Sequence, residues 1–230
     1  MFFFKSDCRT SNYIHQMTKL NLGCGQIRPE GWVNADSSMN TLLQKLPLGK
    51  WMAKKLGAVT FESSNVVYMN LNRRWKKISD RSVEVVYASH LFEHLEIEKT
   101  RVFLSEAFRV IKPNGCIRLV MPDLYKHCKL YIERFEKGDI NASKDLLWAM
   151  NLYDRGPDER HSMMHKVLGF LQGYPHRHKY MYDQLTLSKL LTDHGFVSIQ
   201  LSDYGQSHYV SNILDVEGPH LYGGYPHSIY

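Results

Sequence analysis

Two short apolar segments flank a glycine turn near the start of the chain, and this pattern constrains the fold most strongly. Lys19–Gly25 reads KLNLGCG, and Trp32–Asp36 reads WVNAD. Each segment is typical of a strand, and the two glycines let the backbone turn sharply and approach a ligand closely. An acid at the tip of the second strand can accept hydrogen bonds from a ribose diol. We therefore expect a nucleoside-binding α/β domain in which Asp36 anchors the ribose.

The turn also restricts the kind of nucleotide. A dinucleotide fingerprint places a third glycine at position 28, followed by a helix N-terminus that receives a pyrophosphate, but this chain has Arg28-Pro29. A triphosphate cradle needs a Lys-Ser/Thr pair after the glycines, and the loop has none. A nucleoside without phosphates remains, and the alternative is a Gly-x-Gly turn that only ends an ordinary strand.

Length and composition fit one globular domain. The 230 residues are 43% hydrophobic and 23% charged, and no stretch approaches the ~20 apolar residues that a membrane span requires. We interpret residues 1–16 as an N-terminal extension and residues 17–230 as a single domain, since strand character starts at Thr18. The opening MFFF is too short for a signal-peptide core, so we expect a cytoplasmic protein whose four cysteines are reduced.

The basic charge leaves several partners open. A net charge of +6 fits a nucleic-acid or anionic-lipid partner, an acidic small substrate, or simply a solvated basic surface. The lysine-rich segment 41–59 contains scattered leucines together with Trp51 and Met52. It fits either a cover over the sheet or a segment on a membrane surface.

Strand and helix patterns alternate along the chain, which predicts a mostly parallel sheet covered on both faces. The segment 124–177 interrupts this alternation with helical patterns, and we expect it to form a helical lid inserted after strand five, where ligands bind in open α/β sheets. Further strands are predicted over 65–69, 83–88, 116–121, 197–201 and 227–230, and helices over 91–111, 124–135, 143–153, 159–172 and 182–194.

Four ordered motifs resemble one known family. The chain contains LNLGCG, then NAD, then VYASHLFEHL, and then EAFRVIKPNG. In this order the motifs are similar to class I S-adenosylmethionine-dependent methyltransferases of the small-molecule type, methyltransferase type 11. The later HKYMYD resembles a bacterial subgroup that is associated with surface-polysaccharide biosynthesis. The resemblance implies a doubly wound, Rossmann-like fold with a seven-stranded, mostly parallel sheet.

The resemblance also implies which residues bind S-adenosyl-L-methionine. Asp36 binds the ribose hydroxyls, and Asn70 replaces an aspartate that accepts from the adenine amino group, a bond that an asparagine carbonyl can also accept. The residues at the ends of strands one, three and four line the rest of the cofactor: Asn21, Leu22, Gly23, Cys24, Gly25, Leu71, Ser89 and His90. Only about nine residues separate the first two strands, so we expect the first helix of the family to be absent or reduced to a turn.

Methyl transfer to a hydroxyl also requires a base, and four residues are candidates. His90, Glu93 and His94 follow strand four, and Asp123 follows strand five at the same edge of the sheet. A histidine whose pKa lies near the working pH suits the role of base. Alternatively, Glu93 and His94 brace a helix start, and Asp123 simply ends a strand.

The lid carries histidines and arginines that fit an anionic substrate, such as a nucleotide-linked sugar. A guanidinium matches phosphate geometry. His161 and His165 lie one helical turn apart but lack the glutamate of an HExxH metal motif. We therefore predict no metal site, and the alternative to substrate contacts is ordinary surface histidines. The predicted substrate residues are Arg160, His176, Arg177, His178 and Tyr182.

These patterns together predict a methyltransferase that O-methylates a small hydroxylated molecule, such as a sugar or nucleotide-sugar. Two alternatives remain. A nucleic-acid methyltransferase fits the basic charge, although the Asn/Asp-Pro-Pro-Tyr/Phe tetrapeptide of base amino-group methylases is absent. A noncatalytic binding protein that retains the cofactor fold fits Asn70 and the short first crossover.

Overall fold

The computed structural model describes residues 18–25, 27–37, 41, 51, 66–152, 177–217 and 228–229. The predictions for the extension 1–16 and the helix 159–172 lie outside these residues, as do most of the segment 41–59 and the second half of the predicted lid. None of the described helices is long and apolar enough to cross a membrane.

The described part of the chain forms a six-stranded sheet in the order β3-β2-β1-β4-β5-β6. Strands β1 to β5 are parallel to their neighbours, and β6 runs antiparallel to β5. This confirms the predicted α/β fold with a mostly parallel sheet, although seven strands were expected. The strands are β1 (Thr18–Leu22), β2 (Trp32–Asp36), β3 (Val66–Tyr68), β4 (Val83–Ser89), β5 (Ile111–Pro122) and β6 (Ser228–Ile229).

Helices follow β4 and β5, as predicted. The helix expected over 91–111 is divided into a 3-10 turn and a longer helix, because Leu95 is extended between them. The helix expected over 182–194 begins after Asp183, whose side chain forms a capping box with Thr186. The helical elements are the 3-10 turn Phe92–His94, α1 (Ile97–Val110), α2 (Leu124–Glu136), α3 (Ala142–Ala149), α4 (Gln184–Asp193) and α5 (Leu214–Glu217).

The core lies between the central strands and α1. Leu20 and Val86 belong to it on the sheet side, and Phe103 on the helix side, and all three are at most 1% exposed. Phe103 contacts Trp75 edge-on, with ring centroids 5.1 Å apart, and Phe92 likewise at 5.0 Å. This cluster fixes α1 and the 3-10 turn against the carboxyl half of β4.

The connection from β1 to β2 contains no helix among its described residues, 23–25 and 27–31. Instead, the backbone N–H groups of Gly23 and Cys24 both donate to the carbonyl of Ala35, at 2.8 and 3.2 Å. The expectation that the first helix is absent is therefore confirmed for this part of the chain. The turn that follows β1 is tied directly to the end of β2.

Strand β5 begins five residues earlier than predicted. Val83 pairs with Ile111, whereas Val85 pairs with Cys116, so residues 112–115 bulge out of the ladder. A Cβ at Gly115 would lie 2.6 Å from the Glu84 carbonyl oxygen, and only glycine fits there. The KPNG motif that was predicted to stop the helix therefore forms this bulge.

The predicted strand Val197–Leu201 is wrong, since these residues are irregular in the structure. Their alternating pattern favours a strand, but a strand also needs a hydrogen-bonding neighbour, and no described strand pairs with this segment. Val197 is 72% exposed and Leu201 is 56% exposed. The segment instead lines a cavity of about 1170 Å³ between β5 and α4.

A buried ion pair holds the C-terminal region on β5. Arg118 of β5 donates to Glu217 of α5, and their side chains are 8% and 0% exposed. The second carboxylate oxygen of Glu217 accepts from Gly205 N–H at 2.7 Å, and Arg118 also donates to the Asp203 carbonyl at 3.2 Å. One carboxylate therefore fixes both the 203–205 turn and α5 against the sheet.

Replacing Glu217 by glutamine leaves the Arg118 charge buried without this carboxylate, which costs about 3–5 kcal/mol of unfolding free energy. Urea denaturation followed by circular dichroism measures this loss. Asp193→Asn is the matched control, because Asp193 pairs with Lys189 on the surface, where such a pair is worth about 0.5 kcal/mol. Equal effects of the two substitutions would contradict the structural role of the buried pair.

Candidate cofactor and catalytic site

The carboxyl ends of β1 and β4 meet at the point where the sheet order changes direction. From β1 the chain continues to β2 and β3 on one side, and β4 and β5 lie on the other. Ligands bind at such a switch point in open α/β sheets. A Cβ on Gly23, at the end of β1, would lie 3.3 Å from the Leu91 side chain that follows β4, so the two loops border one crevice.

The glycine turn adopts the backbone conformation that its sequence predicts. Gly23 and Gly25 have φ angles of 69° and 49°, which few residues other than glycine adopt at low cost. Arg28 donates from Nε and Nη2 to the Gly25 carbonyl at 3.1 and 2.9 Å. Arg28 was used only to exclude a dinucleotide, and its bracing of the turn was not predicted.

The side chain of Asn21 forms hydrogen bonds to the loop after this turn and to β2. Its amide donates to the Ile27 carbonyl at 2.8 Å and to Asn34 Oδ1 at 2.9 Å, and both asparagines are 2% exposed. The side chain of Asn21 thus joins β1, β2 and the loop, and its contact with the cofactor stays a prediction. Asn34 was missed, although an asparagine inside a strand is itself an indication of a special role.

Asp36 lies half-buried at the carboxyl end of β2, where a ribose anchor was predicted. Its Oδ2 accepts from Gly25 N–H at 3.4 Å, so the carboxylate and the glycine turn are adjacent. The backbone carbonyl of Asp36 accepts from Met69 N–H at 3.1 Å, which fixes the end of β2 against the end of β3.

The residues after β3, which were also predicted to bind the cofactor, offer few side-chain groups to a ligand. Asn70 is exposed, and its Oδ1 accepts from Asn72 N–H at 3.0 Å, leaving one lone pair for another donor. Leu71 and Leu22 are 1% and 0% exposed. Their side chains belong to the core, so only their backbone groups are available to a ligand.

The residues after β4 carry several unusual features. His90 has a φ of 49°, a conformation that is strained for a residue other than glycine and that clusters at functional sites. Its backbone N–H donates to the Val120 carbonyl at 2.8 Å. Among the described residues, the buried hydroxyl of Ser89 has no hydrogen-bond partner, which leaves a polar atom available at this edge.

His90 and Glu93 form a pair. His90 Nδ1 lies 3.2 Å from Glu93 Oε1, and the two side chains are 40% and 1% exposed. A buried carboxylate beside Nδ1 favours the tautomer in which Nδ1 donates and Nε2 carries the lone pair. The structure thus brings together two of the predicted catalytic residues in an orienting contact.

His94 and His178 complete a cluster around Glu93. Their rings meet edge-on with centroids 5.0 Å apart, and His94 Nδ1 lies 3.4 Å from the Arg177 carbonyl oxygen. Burial lowers the pKa of His178 to about 4, against an opposing effect of Glu93. The sequence analysis assigned His178 to a substrate and His94 to catalysis, and their proximity across 84 positions was not predicted.

Two other predicted residues have structural roles here. Asp123 is 6% exposed and caps α2, since its Oδ1 accepts from Tyr125 N–H at 3.0 Å. Tyr182 is 1% exposed, and its hydroxyl donates to Thr100 Oγ1 at 3.2 Å. Tyr182 belongs to the core cluster, and its contact with a substrate stays a prediction.

The remaining predicted substrate residues are only partly described. Arg177 is exposed beside His178, whereas Arg160 and His176 lie outside the described residues. None of the predicted site residues is among the described residues that line the cavity of about 1170 Å³.

The sequence of residues 48–119 matches the family described as "Methyltransferase domain". These residues, about a third of the chain, are similar to that family. The match spans β3, β4, α1 and all but the last three residues of β5, and it supports the predictions of an enzyme and of S-adenosylmethionine as its cofactor. The glycine turn and Asp36 precede the matched residues. No curated protein matches the chain.

Several solved methyltransferase structures are similar to the chain at low identity. A SAM-dependent methyltransferase from Archaeoglobus fulgidus is 17% identical, with 93% of this chain and 83% of that chain covered and a TM-score of 0.47. One from Aquifex aeolicus is 15% identical, with 82% and 76% covered and a TM-score of 0.40. Phosphoethanolamine N-methyltransferase 2 of Haemonchus contortus, in complex with S-adenosyl-L-methionine, is 13% identical, with 82% and 35% covered and a TM-score of 0.41. At these low sequence identities and TM-scores, the similarities do not indicate a function.

Cys24 lies within the turn, and burial raises the pKa of its thiol to about 11. Because the thiolate is the reactive form, we expect iodoacetamide to label Cys24 at least about 100-fold more slowly in the native protein than in the urea-unfolded chain. Mass spectrometry of the tryptic peptides measures both rates. Comparable rates in the two states would show that the turn is open rather than packed as described.

Proposed function

We propose that this protein transfers the methyl group of S-adenosylmethionine to a hydroxyl of a small molecule, such as a sugar or nucleotide-sugar. The observation that carries the proposal is the contact between His90 and the buried Glu93 at the end of β4. A hydroxyl acceptor must lose its proton, and a histidine that is oriented by a carboxylate suits this task.

In this proposal, the glycine turn and Asp36 hold the cofactor. The backbone of Gly23–Gly25 passes beside its methionine portion, and the carboxylate of Asp36 accepts from the ribose hydroxyls. Support comes from the open space at Gly25, where an added Cβ would have no neighbour within 4 Å, and from the contact between Gly25 and Asp36. Ser89 contributes its hydroxyl to the same crevice.

The transfer itself is an in-line displacement. The bond between the methyl carbon and the sulfonium sulfur breaks as the new carbon–oxygen bond forms, and the sulfonium becomes a neutral thioether. Alignment of the three atoms supplies most of the catalysis. The hydroxyl proton passes to Nε2 of His90, while Glu93 stabilises the imidazolium through Nδ1.

An anionic acceptor is supported by charge. The chain carries a net charge of +6, and Arg177 lies at the cluster of His94 and His178. We further propose that residues 124–177 cover the acceptor as a lid, of which α2 and α3 are the described part, and that 17–230 form one domain. The biosynthesis of surface polysaccharides is the proposed context.

Calorimetric titration with S-adenosylmethionine tests the cofactor site. Asp36→Ala removes the acceptor of the ribose hydroxyls, so we expect affinity to fall by about 10- to 100-fold, as for loss of hydrogen bonds to a charged group. Asp193→Ala, on the exposed end of α4, is the matched control and keeps wild-type affinity. Undiminished binding by Asp36→Ala would refute the ribose assignment, and no binding by the wild type would favour a noncatalytic scaffold.

A second experiment tests His90 as the base. In a screen of nucleotide-sugars for methyl incorporation, we expect His90→Ala to lower turnover by about 100- to 10,000-fold while cofactor affinity stays within about twofold. His208→Ala is the control, because His208 is exposed and lies away from the site. A loss of cofactor affinity in His90→Ala would make His90 a cofactor residue, and methylation of an oligonucleotide instead of sugars would favour the nucleic-acid alternative.

A further inference from the structure

Glu93, His94 and His178 offer three ligand atoms that all lie within 4.8 Å of one another. We propose that these residues bind a divalent transition-metal ion, with zinc as the best-matched example. The sequence analysis predicted no metal, because it considered only the local spacing of the lid histidines. The fold creates this cluster by bringing residue 178 against the turn that follows β4.

The buried carboxylate is the first argument for an ion. Glu93 is 1% exposed, and its Oε1 contacts His90. Within the described part of the chain, its Oε2 is buried and has no hydrogen-bond partner. Buried carboxylate oxygens are normally hydrogen-bonded or coordinate a metal. The unpartnered Oε2 of Glu93 therefore favours a bound cation at this position.

The histidines supply the second argument. His178 Nδ1 is also buried and has no partner among the described residues, so an unused ring nitrogen and an unused carboxylate oxygen belong to the same cluster. His94 Nδ1 lies 3.4 Å from the Arg177 carbonyl. A metal-binding histidine commonly donates its other ring N–H to such a carbonyl, and this tautomer leaves a lone pair on Nε2.

The backbone holds the three residues in place. The N–H groups of Lys179 and Tyr180 both donate to the carbonyl of Glu93, at 2.5 and 3.3 Å. Lys179 Nζ also lies 3.6 Å from Glu96. The segment that carries His178 is thus attached by hydrogen bonds to the residue that supplies the carboxylate. Ligand atoms around a tetrahedral zinc ion are roughly 3.4 Å apart.

The ligand types select the ion. Two imidazoles and one carboxylate suit zinc and other first-row transition metals better than magnesium or calcium, which prefer oxygen ligands. Three protein ligands leave a position open, as in zinc sites that bind a water or a substrate. This part of the inference rests on the proposed function. The open coordination position would take the hydroxyl oxygen of the methyl acceptor beside His90, and the hydroxyl proton would pass to His90 as described above.

Calorimetric titration of the chelator-treated full chain with zinc chloride tests the site. We expect one ion per chain and a visible d–d absorption when cobalt replaces zinc. Glu93→Gln and His178→Ala should each weaken zinc binding by at least about 10-fold, while His208→Ala should not. His94→Ala serves as a third variant if thermal unfolding shows that either of the first two is misfolded.

Failure of wild-type zinc binding, or unchanged binding by correctly folded Glu93→Gln and His178→Ala, would overturn this inference. S-adenosylmethionine is titrated in the same preparations, with and without zinc. Cofactor binding without zinc binding would refute the metal site alone, whereas zinc binding without cofactor binding would refute the proposed function and leave the metal site standing.

Discussion

The parallel pairing of β1 with β4 is the constraint on which the rest of the structure depends. Leu20 pairs with Val86 and Leu22 with Ala88, so both strands end at the same level. That register brings Gly23 after β1 beside Leu91, the residue that follows His90 after β4. A shift by one residue would exchange the face of β1 that carries Leu20 and Leu22 with the face that carries Lys19 and Asn21.

The residues of the candidate site lie at the carboxyl ends of the strands, and buried polar contacts hold them in position. Asn21 and Asn34 join the first two strands below the turn, and Arg28 holds the turn from above. On the other side of the switch point, Glu93 orients His90. These contacts cost flexibility but pre-organise the crevice, which is how an enzyme aligns reacting groups before they react.

Local patterns predicted the elements well where the pattern and the tertiary context agree. The strands β1 to β4 and the helices α1, α2 and α4 follow their periodicity closely, and the missing first helix could be inferred from a connection of nine residues. The strand at 197–201 could not be judged in this way, because a strand needs a hydrogen-bonding neighbour in the sheet, which local alternation does not indicate. The burial of Tyr182 at 1% exposure could not be predicted either, since a tyrosine in a polar motif gives no local indication of it.

The candidate site shows the same limit. Spacing placed Gly23, Gly25, Asp36, His90 and Glu93 at or near strand ends, where ligands bind in open α/β sheets, and their roles stay predictions. The cluster with His178 depends on a return of the chain across the sheet edge, which no spacing rule indicates. The sequence analysis used Arg28 only to exclude a dinucleotide. Its hydrogen bonds to Gly25 could not be predicted, because they depend on the conformation of the turn.

A crystal structure of the protein with S-adenosylhomocysteine tests the central claim most directly. The account predicts that the ribose hydroxyls lie within hydrogen-bond distance of the Asp36 carboxylate, with the sulfur between the Gly23 turn and His90. A cofactor bound in the cavity between β5 and α4, away from both strand ends, would contradict it.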